Sequence, residues 1–199
     1  MKTIKSIIFL SILLVGLMVN AQEEKMTLGV KVGLNLSNIG SNEGSYDNTK
    51  TKAGFNAGLT LDYAFTRNWY LLTGVEYSYK GVKVELSSND QHINAAYVQL
   101  PVLAGFKIPI LEDMALLIST GPYFAYGVHG KIKEGNYKQE TFGDYTLKRF
   151  DWGIDIGVAF EWKKFCFTLG GELGMINIMQ KNNDKAETRN LTISAGYKF

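Results

Sequence analysis

Residues 190–199, NLTISAGYKF, alternate apolar and polar side chains without a break. The apolar set is Leu191, Ile193, Ala195, Tyr197 and Phe199, and the polar set is Asn190, Thr192, Ser194, Gly196 and Lys198. Successive side chains on a β-strand point to opposite faces, so the stretch predicts a strand with one apolar and one polar face. A strand that ends on an exposed aromatic residue is expected where the apolar face contacts lipid.

Seven earlier stretches show the same alternation, at about residues 26–37, 52–65, 69–85, 94–108, 115–128, 150–162 and 165–178. The pattern changes phase at Gly81, which predicts a β-bulge there. Pro101 lies inside the fourth stretch, although proline normally marks a strand edge or a bulge. Because the alternation holds on both sides of Pro101, we predict eight strands.

The connections between these stretches alternate in length. Those at 66–68, 109–114 and 163–164 are short, whereas those at about 38–51, 86–93, 129–149 and 179–189 are longer and polar. Outer-membrane barrels have short periplasmic turns, longer extracellular loops and an even number of strands. The sequence therefore predicts an all-β fold, an eight-stranded antiparallel up-and-down transmembrane β-barrel with both termini on the periplasmic side.

Aromatic residues mark both ends of the predicted apolar band. Near the short turns they are Tyr63, Phe65, Trp69, Phe106, Phe160, Trp162, Phe165, Tyr197 and Phe199, and near the long loops Phe55, Tyr77, Tyr79, Phe124, Tyr126, Phe150 and Trp152. Two such girdles are expected where aromatic rings lie at the level of the lipid headgroups. Lipid of the outer membrane is thus one expected partner.

The N-terminus has the composition of a secretory signal peptide. Lys2 and Lys5 precede an apolar run at 7–19, and Val19-Asn20-Ala21 offers small residues before a cleavage point at Gln22. The run is too short to span a membrane as a helix. We expect residues 1–21 to be removed and residues 22–199 to form the barrel domain in the outer membrane.

The polar face is rich in charge. It carries Lys31, Asp62, Glu76, Lys80, Lys107, Asp151, Asp155, Glu161, Glu172 and Lys198. An eight-stranded barrel is only wide enough for its own side chains to fill the interior, where isolated charges are costly. We predict a lumen polar network of Lys31, Asp62, Glu76, Lys80, Asp155 and Glu172.

Within that network we expect Lys31 to pair with Asp62. Asp155 and Glu172 are expected to recruit a lysine such as Lys80 or to share a proton. Two functions fit such a network: a plug that holds the barrel together, or a narrow porin-like conduit for protons, ions or small solutes.

No combination of residues predicts catalysis, a cofactor site or a metal site. Asp151 and Asp155 lie four residues apart on a strand, about 13 Å, which exceeds the separation of paired catalytic carboxylates. His92 and His129 lie in different predicted loops, without a metal-binding motif. A net charge of +2 gives no reason to expect nucleic acid. We therefore expect a protein that is not an enzyme and needs no cofactor.

The long loops are the expected place for function, because loops on a rigid scaffold usually carry it. The longest connection, 129–149, contains Tyr137, Phe142 and Tyr145 among charges of both signs. That composition suits recognition of an extracellular protein or polysaccharide, and it equally suits an ordinary solvated hairpin.

Several motifs resemble the PorT-like outer-membrane β-barrel family, which is porin-like. They are Asn20-Ala21-Gln22, Gly29-Val30-Lys31-Val32-Gly33-Leu34-Asn35, Tyr97-Val98-Gln99-Leu100-Pro101-Val102-Leu103, Gly121-Pro122-Tyr123 and Asp151-Trp152-Gly153. The resemblance covers essentially all of residues 22–199 and implies the fold and the location, with no catalytic residues to transfer. The alternative from the pattern alone is a soluble lipocalin-like binding barrel, in which apolar residues face inward.

Phe199, preceded by Tyr197, Ala195 and Ile193 at every second position, also resembles the signal read by the barrel assembly machinery. Deleting Phe199 removes little of the barrel surface but all of the terminal aromatic ring. We predict that the truncated protein accumulates in the periplasm or is degraded there, while refolding in detergent is only mildly impaired. Cell fractionation checks this, and normal levels in the outer membrane would contradict the targeting role.

Overall fold

The computed structural model describes residues 25–41, 49–85, 90–134, 137–142, 147–177 and 186–199. The strands are β1 (Met26–Ser41), β2 (Thr49–Ala64), β3 (Trp69–Glu85), β4 (Asp90–Leu111), β5 (Met114–Glu134), β6 (Tyr137–Glu140), β7 (Phe150–Trp162), β8 (Phe165–Gly174) and β9 (Ala186–Lys198). Among these residues no helix is long and apolar enough to cross a membrane. The predicted signal peptide, residues 1–21, lies outside the described residues.

Eight of the strands form one closed antiparallel sheet. Each pairs with its neighbours in the chain, β5 pairs with β7, and β1 pairs with β9 to close the ring. The closing ladder runs from Gly29 opposite Lys198 to Ser41 opposite Ala186. The short β6 pairs with the far end of β5 beyond the ring. The predicted eight-stranded antiparallel barrel is therefore confirmed.

Between the two aromatic girdles the outward side chains are apolar and exposed, and the inward side chains are buried and mostly polar. Val32 is 61% exposed and Ile193 is 53% exposed, whereas Asp62, Glu76 and Glu172 are buried. This is opposite to the inward apolar face of a lipocalin-like barrel. The outer aromatic rings pack in pairs at both ends, such as Trp69 with Phe106 at 5.0 Å between centroids and Phe55 with Tyr79 at 5.7 Å.

Pro101 is accommodated inside β4 without a shift of register. It faces Tyr123 of β5 on one side, and on the other side the ladder with β3 skips from Thr73–Val102 to Glu76–Gln99. Proline has no N–H to donate at this point. The Thr73 hydroxyl donates instead to the Pro101 carbonyl at 2.7 Å, which ties the two strands together.

Gly81 itself is not an extra residue, because β3 and β4 stay in register from Glu76 opposite Gln99 to Glu85 opposite Asp90. A bulge does lie beside Gly81 in the other ladder, where the pairing of β2 with β3 shifts between Thr51–Val82 and Phe55–Tyr79, and its extra residue is on β2 and not on β3. What changes there is the chemistry of the two faces. Val82, Ile93 and Ala95 are buried inside, and the outward positions become polar. Apolar residues therefore continue on the inner face once the strands pass the aromatic girdle.

Several strands extend further than the sequence predicted, whereas β8 ends at Gly174 and not near residue 178. β4 begins at Asp90 and β5 continues to Glu134, so parts of the connections expected at 86–93 and 129–149 are strand. A bulge does occur on β5, where Ala96 faces His129 and Tyr97 faces Gly127, leaving Val128 as the extra residue. This bulge turns Lys131 and Lys133 to the outer face.

A matched pair of substitutions tests the height of the apolar band. Ile193 lies midway along the outer face of β9, and Ile110 is exposed beside the short turn at 112–113. We predict that Ile193→Arg lowers the free energy of unfolding by about 2–4 kcal/mol, because the charge enters the middle of the bilayer. Ile110→Arg is expected to cost only about 0–1 kcal/mol near the interface. Urea titration in lipid vesicles, followed by tryptophan fluorescence, measures both, and equal losses would contradict the assigned band.

Candidate functional site

Ion pairs and hydrogen bonds on the inner face form two clusters of polar side chains at different heights in the lumen. The lower ion-pair cluster, near the short turns, consists of Asp62, Lys107, Glu161 and Lys198. The middle ion-pair cluster consists of Lys31, Glu76, Lys80, Gln99, Glu172 and Asn190. Each group draws its members from several strands, so it cross-links the barrel from within.

Two lysines and two carboxylates alternate in the lower ion-pair cluster. Lys198 Nζ lies 2.5 Å from Asp62 Oδ2 and 2.5 Å from Glu161 Oε1. Lys107 Nζ lies 2.8 Å from Glu161 Oε2 and also lies over the ring of Tyr70. The charges of these four residues balance, so the cluster is neutral.

The middle ion-pair cluster is centred on Lys80 and Glu172. Their side chains pair directly, and both are almost completely buried. Gln99 accepts a hydrogen bond from Lys80 at 3.1 Å and donates one to Glu172 at 2.8 Å, and Asn190 donates to Glu172 at 3.2 Å. Such additional hydrogen bonds are what allow a buried ion pair to offset its desolvation.

Lys31 does not pair with Asp62, contrary to the prediction. Its Nζ lies 2.5 Å from Glu76 Oε2, and Asp62 contacts Lys198 instead. The register explains this: Lys31 lies opposite Gly58 on β2, and Gly58 lies opposite Glu76 on β3. Because Gly58 has no side chain, Lys31 reaches across β2, whereas Asp62 lies opposite Thr27, four positions away.

Asp155 lies opposite Glu172 on the adjacent strand, and both line a cavity of about 120 Å³ in the lower half of the lumen. Lys31, Asp62 and the lone cysteine, Cys166, also line it. Its volume has room for a few water molecules. Of the two carboxylates, Glu172 therefore lies against Lys80, and Asp155 faces the cavity.

Asp151 lies higher in the lumen and is 1% exposed. Its Oδ2 accepts hydrogen bonds from Thr188 Oγ1 at 2.9 Å and from the Tyr123 hydroxyl at 3.3 Å. Lys80 Nζ lies 5.3 Å from the centroid of the Tyr123 ring and 5.8 Å from that of Tyr97. These two tyrosines therefore separate the middle ion-pair cluster from the side chains nearer the long loops.

Above the tyrosines, apolar side chains fill the lumen at the end of the long loops. This apolar cap consists of Val82, Ile93, Ala95, Tyr97, Tyr123, Ala125, Phe142 and Leu147, with Ile132 and Ile176 packed against it. Phe142 and Leu147 come from the connection between β6 and β7, and each is 4% exposed. Phe142 is therefore buried in the lumen and does not contribute to the surface of the loop.

Local geometry holds Phe142 in the apolar cap. Its ring packs against the edge of Tyr97 and directly over Gly127, where a Cβ atom would collide with it. Arg149 lies 5.5 Å from the Phe142 ring and donates a hydrogen bond to the Gly127 carbonyl at 2.9 Å. Thr141 donates to the Asn94 carbonyl at 2.6 Å. No pattern in the sequence connects Gly127 with Phe142, because the two meet only in the folded barrel.

The two histidines remain apart. His129 shares a hydrogen bond with the Tyr77 hydroxyl at 2.9 Å on the outer surface, and His92 lies on β4 opposite Lys83 and Lys133. Within the described ranges, no group of three or more histidine, cysteine, aspartate or glutamate side chains is arranged to hold a metal ion.

Solved outer-membrane proteins resemble this barrel. Neisserial surface protein A is 12% identical, covering 88% of this chain and 100% of that chain with a TM-score of 0.51. OprG from Pseudomonas aeruginosa is 14% identical (88% and 96% covered, TM-score 0.49). Ail of Yersinia pestis, in complex with the heparin analogue sucrose octasulfate, is 17% identical (88% and 99% covered, TM-score 0.46). Identities this low bear on the fold alone.

No curated protein sequence matches the chain. A family model described as the outer membrane protein beta-barrel domain matches residues 20–180. The closed antiparallel barrel with its outward apolar band agrees with that description. The chain thus belongs to the outer membrane protein beta-barrel domain family, and it is a protein of the outer membrane.

Proposed function

We propose that this protein is a structural or surface-recognition barrel with a plugged lumen, and that it is neither a conduit nor an enzyme. The observation that carries the proposal is the stack of three side-chain layers in the lumen: the lower ion-pair cluster, the middle ion-pair cluster and the apolar cap. A function in recognition belongs to the long loops, which such a rigid barrel presents at the cell surface.

The porin-like alternative requires a continuous aqueous path. The cavity beside Asp155 gives it some support in the lower half of the lumen. Above the cavity, the path is blocked by the Lys80–Glu172 pair, the Tyr97 and Tyr123 rings and Phe142. Eight strands leave space only for their own side chains, so the plug is the better supported reading.

The motifs that resemble the PorT-like family support assignment to that branch of the outer-membrane barrels. For the loops we propose an extracellular protein or polysaccharide as ligand. The sulfated sugar bound to Ail is a ligand of that protein, and its presence on another outer-membrane barrel makes polysaccharide a reasonable first probe here.

Tyr197 and Phe199 remain our proposal for the signal to the barrel assembly machinery. Both rings lie on the outer face and meet edge to face, with centroids 5.8 Å apart. The Phe199 N–H donates to the Leu28 carbonyl at 2.9 Å, which fixes the position of this residue beside β1.

Planar-bilayer recording tests the plug. We predict no stable porin-sized conductance for the full protein, and none for Phe142→Ala, because both ion-pair clusters remain beneath the apolar cap. Phe165→Ala, which removes an exposed ring from the outer face, is the matched control. Stable conductance of the unaltered protein would establish the porin-like alternative, and conductance of Phe142→Ala alone would contradict a plug built from three layers.

Substitutions at the Lys80–Glu172 pair test whether the network supports the fold. Lys80→Met is expected to lower the free energy of unfolding by about 3–5 kcal/mol, because Glu172 is left buried and charged. Lys80→Met combined with Glu172→Leu should recover most of that loss, since neither charge remains. Lys107→Met is the control, because Glu161 keeps Lys198 as a partner. Urea titration measures all three, and equal losses in the single and double variants would refute the coupling.

A further inference from the structure

The outer surface of the barrel becomes strongly basic just beyond the aromatic girdle on the side of the long loops. We define the basic outer face as Lys50, Lys52, Lys83, His92, His129, Lys131 and Lys133. Four of these form one continuous row across neighbouring strands: Lys50 lies opposite Lys83, Lys83 opposite His92, and His92 opposite Lys133.

Their outward direction follows from the residues beside them. Val82 and Ile93 are buried in the apolar cap, and Ile132 packs against it. Neighbouring positions on a strand point to the opposite face, so Lys83, His92, Lys131 and Lys133 point away from the lumen. The hydrogen bond between His129 and Tyr77, a residue of the outer aromatic girdle, is consistent with this direction.

A second set of polar groups lies one step closer to the girdle. Asn94 lies opposite Gly81 on one side and Lys131 on the other, and its Oδ1 accepts a hydrogen bond from Lys52 Nζ at 2.5 Å. Beside them is a groove of about 540 Å³, lined by Tyr79, His129, Lys131, Lys133, Arg149 and the carboxylate of Glu140 among others. Cations outnumber the single carboxylate in this groove.

Adjacent like charges on one face of a sheet are destabilising. Lys50 and Lys83 also interact with other groups of the protein, so the inference does not depend on them. It rests on Lys52, Lys131, Lys133 and Arg149. An anion bound between these side chains would relieve their repulsion, and phosphate oxygens are strong acceptors for lysine and arginine. The groove is therefore suited to a phosphate group.

The height of the groove indicates where that phosphate comes from. Tyr79 belongs to the girdle that marks the headgroup level, and it also lines the groove. Lys83 follows four residues later, which at about 3.3 Å per residue places it within roughly 13 Å along the strand. Below the groove the outer face is apolar, with Val98 and Tyr126 exposed.

We propose that the basic outer face binds the phosphate groups of the phosphorylated glycolipid of the outer leaflet. One such molecule places its phosphates against Lys131 and Lys133 and its acyl chains along the apolar band beneath. The proposal rests on the outer-membrane location of the barrel, and it is independent of whether the lumen conducts. The site would anchor the extracellular end of the barrel at a fixed depth.

The test compares ligands that differ only in phosphate. Binding of bisphosphorylated lipid A and of the dephosphorylated lipid with the same acyl chains is measured on the full protein in neutral detergent. We expect the phosphorylated form to bind more tightly, and Lys131→Gln with Lys133→Gln to weaken it by about tenfold, the size expected of two exposed charge contacts. Salt at about 1 M, where the Debye length is about 3 Å, should weaken it similarly.

The matched control is Lys163→Gln with Lys164→Gln, which removes two exposed lysines at the opposite end of the barrel. This variant should bind phosphorylated lipid A normally, and the heat-dependent gel shift of folded barrels verifies that both variants are folded. Equal binding of the two lipids, or equal loss in both variants, would overturn the proposal. Competition by millimolar inorganic phosphate alone, or tighter binding of a heparin fragment than of lipid A, would also overturn it in favour of a soluble anion.

Discussion

The hydrogen-bonded ladder between β1 and β9 is the constraint on which the rest of the structure depends. In lipid an unpaired strand edge leaves backbone N–H and C=O groups without partners, so the sheet must close. Closure with eight strands fixes a narrow lumen. The inner side chains of all strands are thereby brought within reach of one another, and charges on different strands, such as Asp62 and Lys198, become direct partners.

That narrow lumen explains why the charges are arranged in compact clusters. A buried lysine or carboxylate is stable only with a partner and further hydrogen bonds, and Gln99 and Asn190 provide these around Lys80 and Glu172. Glycines on the inner face set the reach of the longer side chains, as Gly58 does between Lys31 and Glu76. The polar network thus follows from strand register as much as from composition.

At the aromatic girdle near the long loops, the apolar side chains change from the outer face of the barrel to the inner face. Within the membrane the apolar side chains face lipid. Beyond it, water surrounds the barrel, and the apolar residues Val82, Ile93 and Phe142 face inward to form the cap. Each of these strands is therefore apolar on the outside within the membrane and apolar on the inside beyond it. Lys131 and Lys133 lie on the outside of the second part, at the level proposed for the phosphates of the leaflet.

The sequence by itself determined the number of strands in the barrel and their antiparallel order, because a two-residue period and alternating connection lengths are local properties that need no partner. The period also separated the apolar from the polar face of each strand, but it fits a lipocalin-like barrel as well, and the burial of the side chains decided that the apolar face is outside. The sequence also selected Lys31, Asp62, Glu76, Lys80, Asp155 and Glu172 as inward-facing positions. Only the tertiary structure decided which side chains form ion pairs, because the strand register places Lys31 within reach of Glu76 and four positions away from Asp62. The same holds for the bulge at Val128 and the burial of Phe142, which depend on residues distant in the chain coming together once the sheet has closed.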